Sequence, residues 1–155
     1  MRGRRVARRL ALDVLYEAEI RDRPPLEAWS EHERQGWVVP GAEEALDPPE
    51  AQAEGPSHEI AAYARALVAG VQQHQGEIDE LIVKYADRWE LQRMPVVDRT
   101  VLRMATCELL WGEGIPVAVA INEAVELAKS LSTDDSGRFV NGILGRIAEA
   151  EAARA

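Results

Sequence analysis

Five arginines, Arg2, Arg4, Arg5, Arg8 and Arg9, crowd the start of this chain, and residues 2–9 hold no acid. On a helix turning about 100° per residue, Arg5, Arg9, Leu12 and Tyr16 recur at i, i+4, i+7 and i+11 and line one face. Arg4 and Arg8 fall on its flank. Guanidinium groups bind phosphates, and a phenol ring offers a surface on which a base can stack. Single-stranded RNA needs both, because its bases are unstacked and its backbone is charged. The same residues also fit a solvated basic face with Tyr16 capping the core. A membrane-surface helix is a third reading, disfavoured by the absence of Trp and Phe from this segment.

Signals for catalysis are thin. The chain has no G-x-x-x-x-G-K-[ST] phosphate cradle and no G-x-G-x-x-G turn. His32, His58 and His74 lack metal-ligand spacing. Cys107, the single cysteine, sits among apolar neighbours and reads as a buried structural thiol rather than a nucleophile. It also excludes a disulfide framework and a Cys-based zinc site, and it fits a reducing cytoplasm. Asp134-Asp135 has the form of an acid–base pair but more simply caps a helix. No cofactor is expected and no enzyme activity.

These groups need elements to hold them, and the pattern is helical throughout. Residues 4–20 form a first helix with Val6, Leu10, Val14 and Leu15 inward, stopped by Pro24-Pro25. A short helix runs from Leu26 to about Gln35. Residues 36–56 carry four prolines, three glycines and five acids, and read as a long, mobile loop. Ser57 caps a helix bearing Ile60, Tyr63, Ala64, Leu67 and Val71, which Gly76 punctuates. Ile78, Leu81, Ile82, Tyr85 and Trp89 then make an amphipathic stripe. Pro95 opens a helix that Gly112 and Gly114 end. Residues 116–130 are apolar on most sides, which predicts a central, mostly buried helix. Thr133, Asp134 and Asp135 start a last helix with Phe139, Val140, Ile143, Leu144 and Ile147. The expected fold is an all-α bundle of about seven helices.

Charge is unevenly spread. The chain has 155 residues and a net charge of −9. Residues 24–59 hold nine acids and one base, eight of those nine negative charges. The remainder is near neutral with a strongly basic end, so the global acidity does not exclude a nucleic-acid partner. No apolar run reaches the roughly 20 residues of a membrane span, and no secretory signal is evident.

From Asp98 onward the motifs become specific. Asp98-Arg99-Thr100-Val101-Leu102-Arg103-Met104-Ala105 leads to Ile115-Pro116. Then come Val119-Ala120-Ile121-Asn122-Glu123-Ala124-Val125-Glu126-Leu127-Ala128-Lys129 and Phe139-Val140-Asn141-Gly142-Ile143-Leu144. Together with the Arg-rich first helix, these resemble the NusB family of bacterial transcription antitermination factors. The resemblance covers residues 4–35 and 57–149; the acidic stretch 36–56 reads as an insertion outside it. It implies two helical subdomains, residues 1–76 and 77–155. It implies binding of boxA RNA from ribosomal RNA transcripts, together with NusE, a small-subunit ribosomal protein, within an RNA polymerase antitermination complex. The resemblance also leaves room for a homodimer that hides the arginine face.

Carried over residue by residue, the RNA surface would be Arg4, Arg5, Arg8, Arg9, Tyr16 and Phe139, with Arg103 and Arg138 as further candidates. Asp98 and Asp135 match acidic positions, and both are expected on the NusE side. The chain departs from the family at Ala118, where a basic residue often stands. Phe139 fits either the edge of its helix's apolar stripe, open to a base, or the core. A helical protein-interaction module without direct RNA contact is the alternative function. A methyltransferase accessory domain is disfavoured because the chain has no room for a cofactor-binding domain.

Overall fold

Proline and hydroxyl side chains set where the helices begin. The computed structural model describes residues 2–37, 56–87 and 89–152. Among them are six α-helices and no strand: α1 (Arg2–Arg21), α2 (Pro25–Gln35), α3 (His58–Tyr85), α4 (Val96–Trp111), α5 (Val117–Leu131) and α6 (Asp134–Ala152). A 3₁₀ turn, Leu91–Arg93, precedes α4. Pro24, Pro95 and Pro116 are the N-caps of α2, α4 and α5. Proline serves there because the first N–H groups of a helix have no intrahelical acceptor. Ser57 Oγ accepts the Ile60 N–H at 3.3 Å, and Thr133 Oγ1 accepts the Ser136 N–H at 3.0 Å. These are the caps expected from the sequence. Most of the expected loop 36–56 lies outside the described residues.

The helix count differs from seven for a local reason. The segments expected as separate helices around Gly76 run together as α3, which carries non-helical angles at His74 (φ −110°, ψ 15°). The break is a kink at the histidine, two residues before the glycine. Trp89 also departs from expectation. The helix ends at Tyr85, so Trp89 lies outside the stripe it was expected to extend.

The chain divides into two compact units, Met1–Gln72 and Gln73–Ala155. The first holds α1, α2 and the opening turns of α3. Its buried residues include Leu10, Val14, Leu15, Trp29, Leu67, Val68 and Val71. The second holds the rest, with Ile78, Ile82, Leu102, Met104, Ile143, Leu144 and Ile147 buried. Each such side chain removed from water contributes about 1.5–3 kcal/mol.

The central helix of the second unit is α4, not α5. Every residue from Thr100 to Glu108 is buried. On α5 only Ala120, Ala124 and Ala128 are, while Val117 and Val119 are exposed. The i, i+4, i+8 alanine row forms the inward seam, where small side chains allow close helix approach. Two glycines stand where a side chain would not fit, Gly112 against the end of its own helix and Gly137 against α5. A Cβ at Gly112 would strike the Glu108 carbonyl, and one at Gly137 would meet Lys129 Cγ.

Candidate nucleic-acid interface

In the first unit, α1 sorts its arginines by depth. Arg5 is exposed and Arg9 is partly so, its Nε 3.3 Å from Asp13 Oδ1. Tyr16 is 40% exposed. Arg4 is half-buried, with its guanidinium 5.1 Å from the centre of the Tyr63 ring. Arg8 is only 3% exposed and lies 5.9 Å from that ring. Such cation–π contacts hold a guanidinium over an aromatic face. Leu12, expected on the outer face, is buried at 2% exposure. The outer row is therefore Arg5, Arg9, Asp13 and Tyr16, and Arg8 has turned inward.

In the second unit the remaining candidates lie at different depths. Arg103, expected as a phosphate contact, is 8% exposed. Its Nε donates to Asp79 Oδ1 at 2.8 Å and its Nη2 to Asp79 Oδ2 at 3.1 Å, a two-point ion pair joining α4 to α3. That guanidinium is committed inside the fold and is not presented to a ligand. Arg138 and Asp135 are both well exposed and form a pair one turn apart on α6. Phe139 is half-buried, its ring centroid 5.6 Å from that of Trp89.

Asp98 is also deeper than expected, at 3% exposure. Its Oδ2 accepts a hydrogen bond from Ser136 Oγ at 3.0 Å. Its Oδ1 has no partner among the described residues. Burial pushes this carboxyl above its ordinary value, against hydrogen bonds from Ser136 and Ser132 that favour the charged form. An acid in this setting braces the α4–α6 contact, with little of it at the surface.

Cys107 is buried as expected, and its thiol is pushed up to about 11, first by burial and then by the neighbouring Glu108 charge. Among the described residues no three His, Cys, Asp or Glu side chains are placed to hold a metal ion. No described helix is long and apolar enough to cross a membrane.

The NusB family model matches residues 5–149. The chain belongs to the NusB family. A transcription antitermination protein NusB from Salinispora arenicola is 52% identical over 149 residues, spanning 96% of this chain and 97% of that relative. Among solved structures, NusB from T. maritima superposes with a TM-score of 0.75 at 38% identity, covering 94% of this chain and 90% of that one. A NusB chain solved with NusE and double-stranded RNA gives a TM-score of 0.74 at 27% identity, covering 97% and 98%. The NusB family motif Phe139–Leu144 thus sits on α6, with Val140, Ile143 and Leu144 inward and Phe139 at the margin.

The residue that sequence reasoning missed in this neighbourhood is Trp89. Its spacing from Tyr85 placed it on an apolar stripe, yet it is 53% exposed. Asp87, with φ +55°, was the available signal, since aspartate tolerates a left-handed turn that ends a helix.

Proposed function

We propose that this chain is a non-enzymatic RNA-binding factor of transcription antitermination, which holds boxA-type single-stranded RNA of ribosomal RNA transcripts together with NusE. The observation that carries this reading is the outer row of α1, where Arg5, Arg9 and Tyr16 reach solvent together. Two cations and an exposed phenol ring suit a charged backbone with unstacked bases. Arg4 adds a third, half-buried guanidinium. Arg138 and Phe139 on α6 belong to the same proposed function; Arg8 and Arg103 serve the fold. The named antitermination relatives support the antitermination role, and the neighbour solved with NusE and double-stranded RNA supports RNA binding together with NusE.

Of the two carboxylates, Asp135 is the one that reaches solvent, so the proposed NusE contact rests on it. RNA and NusE then act as linked ligands, each raising the effective concentration of the other. The assembly enters an RNA polymerase complex. A homodimer that covered the α1 row would compete with RNA, and its presence is read by mass in solution.

The test is a titration with a short boxA-type RNA at several salt concentrations, with and without NusE. Three phosphate contacts give a slope of log K against log[salt] of about −2, at about −0.7 per contact for single strands. Arg5→Gln and Arg9→Gln should each flatten it by about 0.7. A salt-independent affinity, or equal affinity for a duplex of the same sequence, would contradict the proposed surface.

A further inference from the structure

The end of α3 and the segment that follows it are fastened to one face of α6 at three points. Arg146 Nη1 donates to the Tyr85 carbonyl at 2.8 Å and pairs with Asp87 Oδ2 at 3.1 Å. Two turns earlier on α6, Phe139 meets the Trp89 ring with centroids 5.6 Å apart and planes inclined at 65°. Phe139 and Arg146 stand at i and i+7, on the same side of the helix. The Trp89 N–H donates to the Ala86 carbonyl at 3.1 Å, closing the turn. An indole is thus held in a fixed place while half of it faces solvent.

We infer that Trp89 is a base-stacking residue, taking one unstacked nucleobase of a single-stranded RNA beside Phe139. The inference rests on the RNA-binding reading above and extends it to a residue outside the arginine row. Of the two rings, the larger and more exposed is the indole. Its π surface accepts any base, and such a stack needs no charge.

The charges around it leave room for the RNA backbone. Arg138 pairs with Asp135, Arg146 with Asp87, and Arg93 Nε lies 3.5 Å from Glu90 Oε2. All these side chains are substantially exposed, and such surface pairs are worth about 0–1 kcal/mol. A phosphate beside the stacked base can therefore capture a guanidinium with little loss. The patch is continuous with Phe139, which already belongs to the proposed RNA surface.

The experiment compares Trp89→Leu and Trp89→Phe with the unmodified chain. It measures binding of a labelled boxA-type single strand, of inorganic polyphosphate and of NusE, with a melt for each variant. Loss of one base–aromatic stack, at about 1–3 kcal/mol, should weaken RNA binding by roughly 5- to 150-fold in the leucine variant. The phenylalanine variant keeps a π face and should recover most of that loss. Polyphosphate and NusE binding should not change, and melting should fall only slightly, because the ring is half exposed. Leucine-variant RNA affinity equal to that of the parent overturns the inference and leaves the arginine reading standing. So does an equal loss for RNA and polyphosphate, or a loss confined to NusE, which would make the ring part of a protein face. Failure of the unmodified chain to bind the RNA overturns both.

Discussion

Replacing Arg103 by methionine separates an internal strut from an RNA contact. The guanidinium makes two charge-assisted bonds to Asp79, and the Arg103 side chain is 9% exposed against 24% for the aspartate. Breaking a buried pair from one side typically costs about 3–5 kcal/mol, because the other charge is stranded. Water reaches part of Asp79, so the loss expected here is about 2–4 kcal/mol. With an unfolding entropy of about 2.1 cal/mol/K per residue, that lowers the melting temperature by about 6–12 °C. Methionine fills similar space without charge. Adding Asp79→Asn should recover part of the loss, since no carboxylate is then stranded. The assay is a thermal melt of both single variants and the double, followed by RNA titration well below the transition. A methionine variant that melts like its parent, or whose folded form loses RNA affinity tenfold, would refute the strut assignment.

Three smaller perturbations test other parts of the structure. Asp98→Asn should melt higher than the parent at pH 7. Burial raises the folded carboxyl above its ordinary 3.8, so the folded state holds the proton more tightly and stability falls as pH climbs through that window. The advantage should vanish below about pH 3, where aspartate is neutral in both states; an advantage constant in pH would count against this account. Cys107, with its thiol pushed up to about 11, should react with a thiol reagent only after unfolding; rapid labelling of the folded chain would place it at the surface. Gly145→Ala should raise stability by about 0.5–1 kcal/mol, because an added Cβ meets nothing within 4 Å in the interior of α6. A melt showing destabilisation would mean that α6 is bent or covered there.

The sequence carried the helices and their caps well, because proline, serine and threonine act on neighbours a few residues away. Depth was harder to read. Val117 and Val119 suggested a buried helix, but burial depends on what lies opposite, and the small face of Ala120, Ala124 and Ala128 won the inward side. Arg8 and Arg103 show the converse. A charged residue reads as surface until a ring such as Tyr63 or a carboxylate such as Asp79 supplies its counterpart, far away in sequence. Leu12 and Asp13 compete for the outer row of α1, and the difference is a single 100° step, which a four-residue spacing rule cannot resolve. Trp89 escaped because its i+4 relation to Tyr85 assumed a helix that had already ended.

The hydroxyl cluster at the start of α6 acts as a dial for the aromatic patch. Ser136 Oγ lies 3.0 Å from Asp98 Oδ2, 2.9 Å from Ser132 Oγ and 3.1 Å from Thr133 Oγ1, so three short side chains and one buried acid agree on where the helix begins. A start displaced by one residue would rotate everything after it by about 100°. Phe139 would then swing away from Trp89, and Arg146, two turns further on, would leave Tyr85 and Asp87. The direction in which the rings face is thus decided at the helix start, by Asp98 and Ser136 in the interior and by Ser132 and Thr133 at the surface. Substitutions at Ser132 or Ser136 would therefore surface in screens as defects of recognition, although the chemistry they disturb is that of a helix finding its first residue.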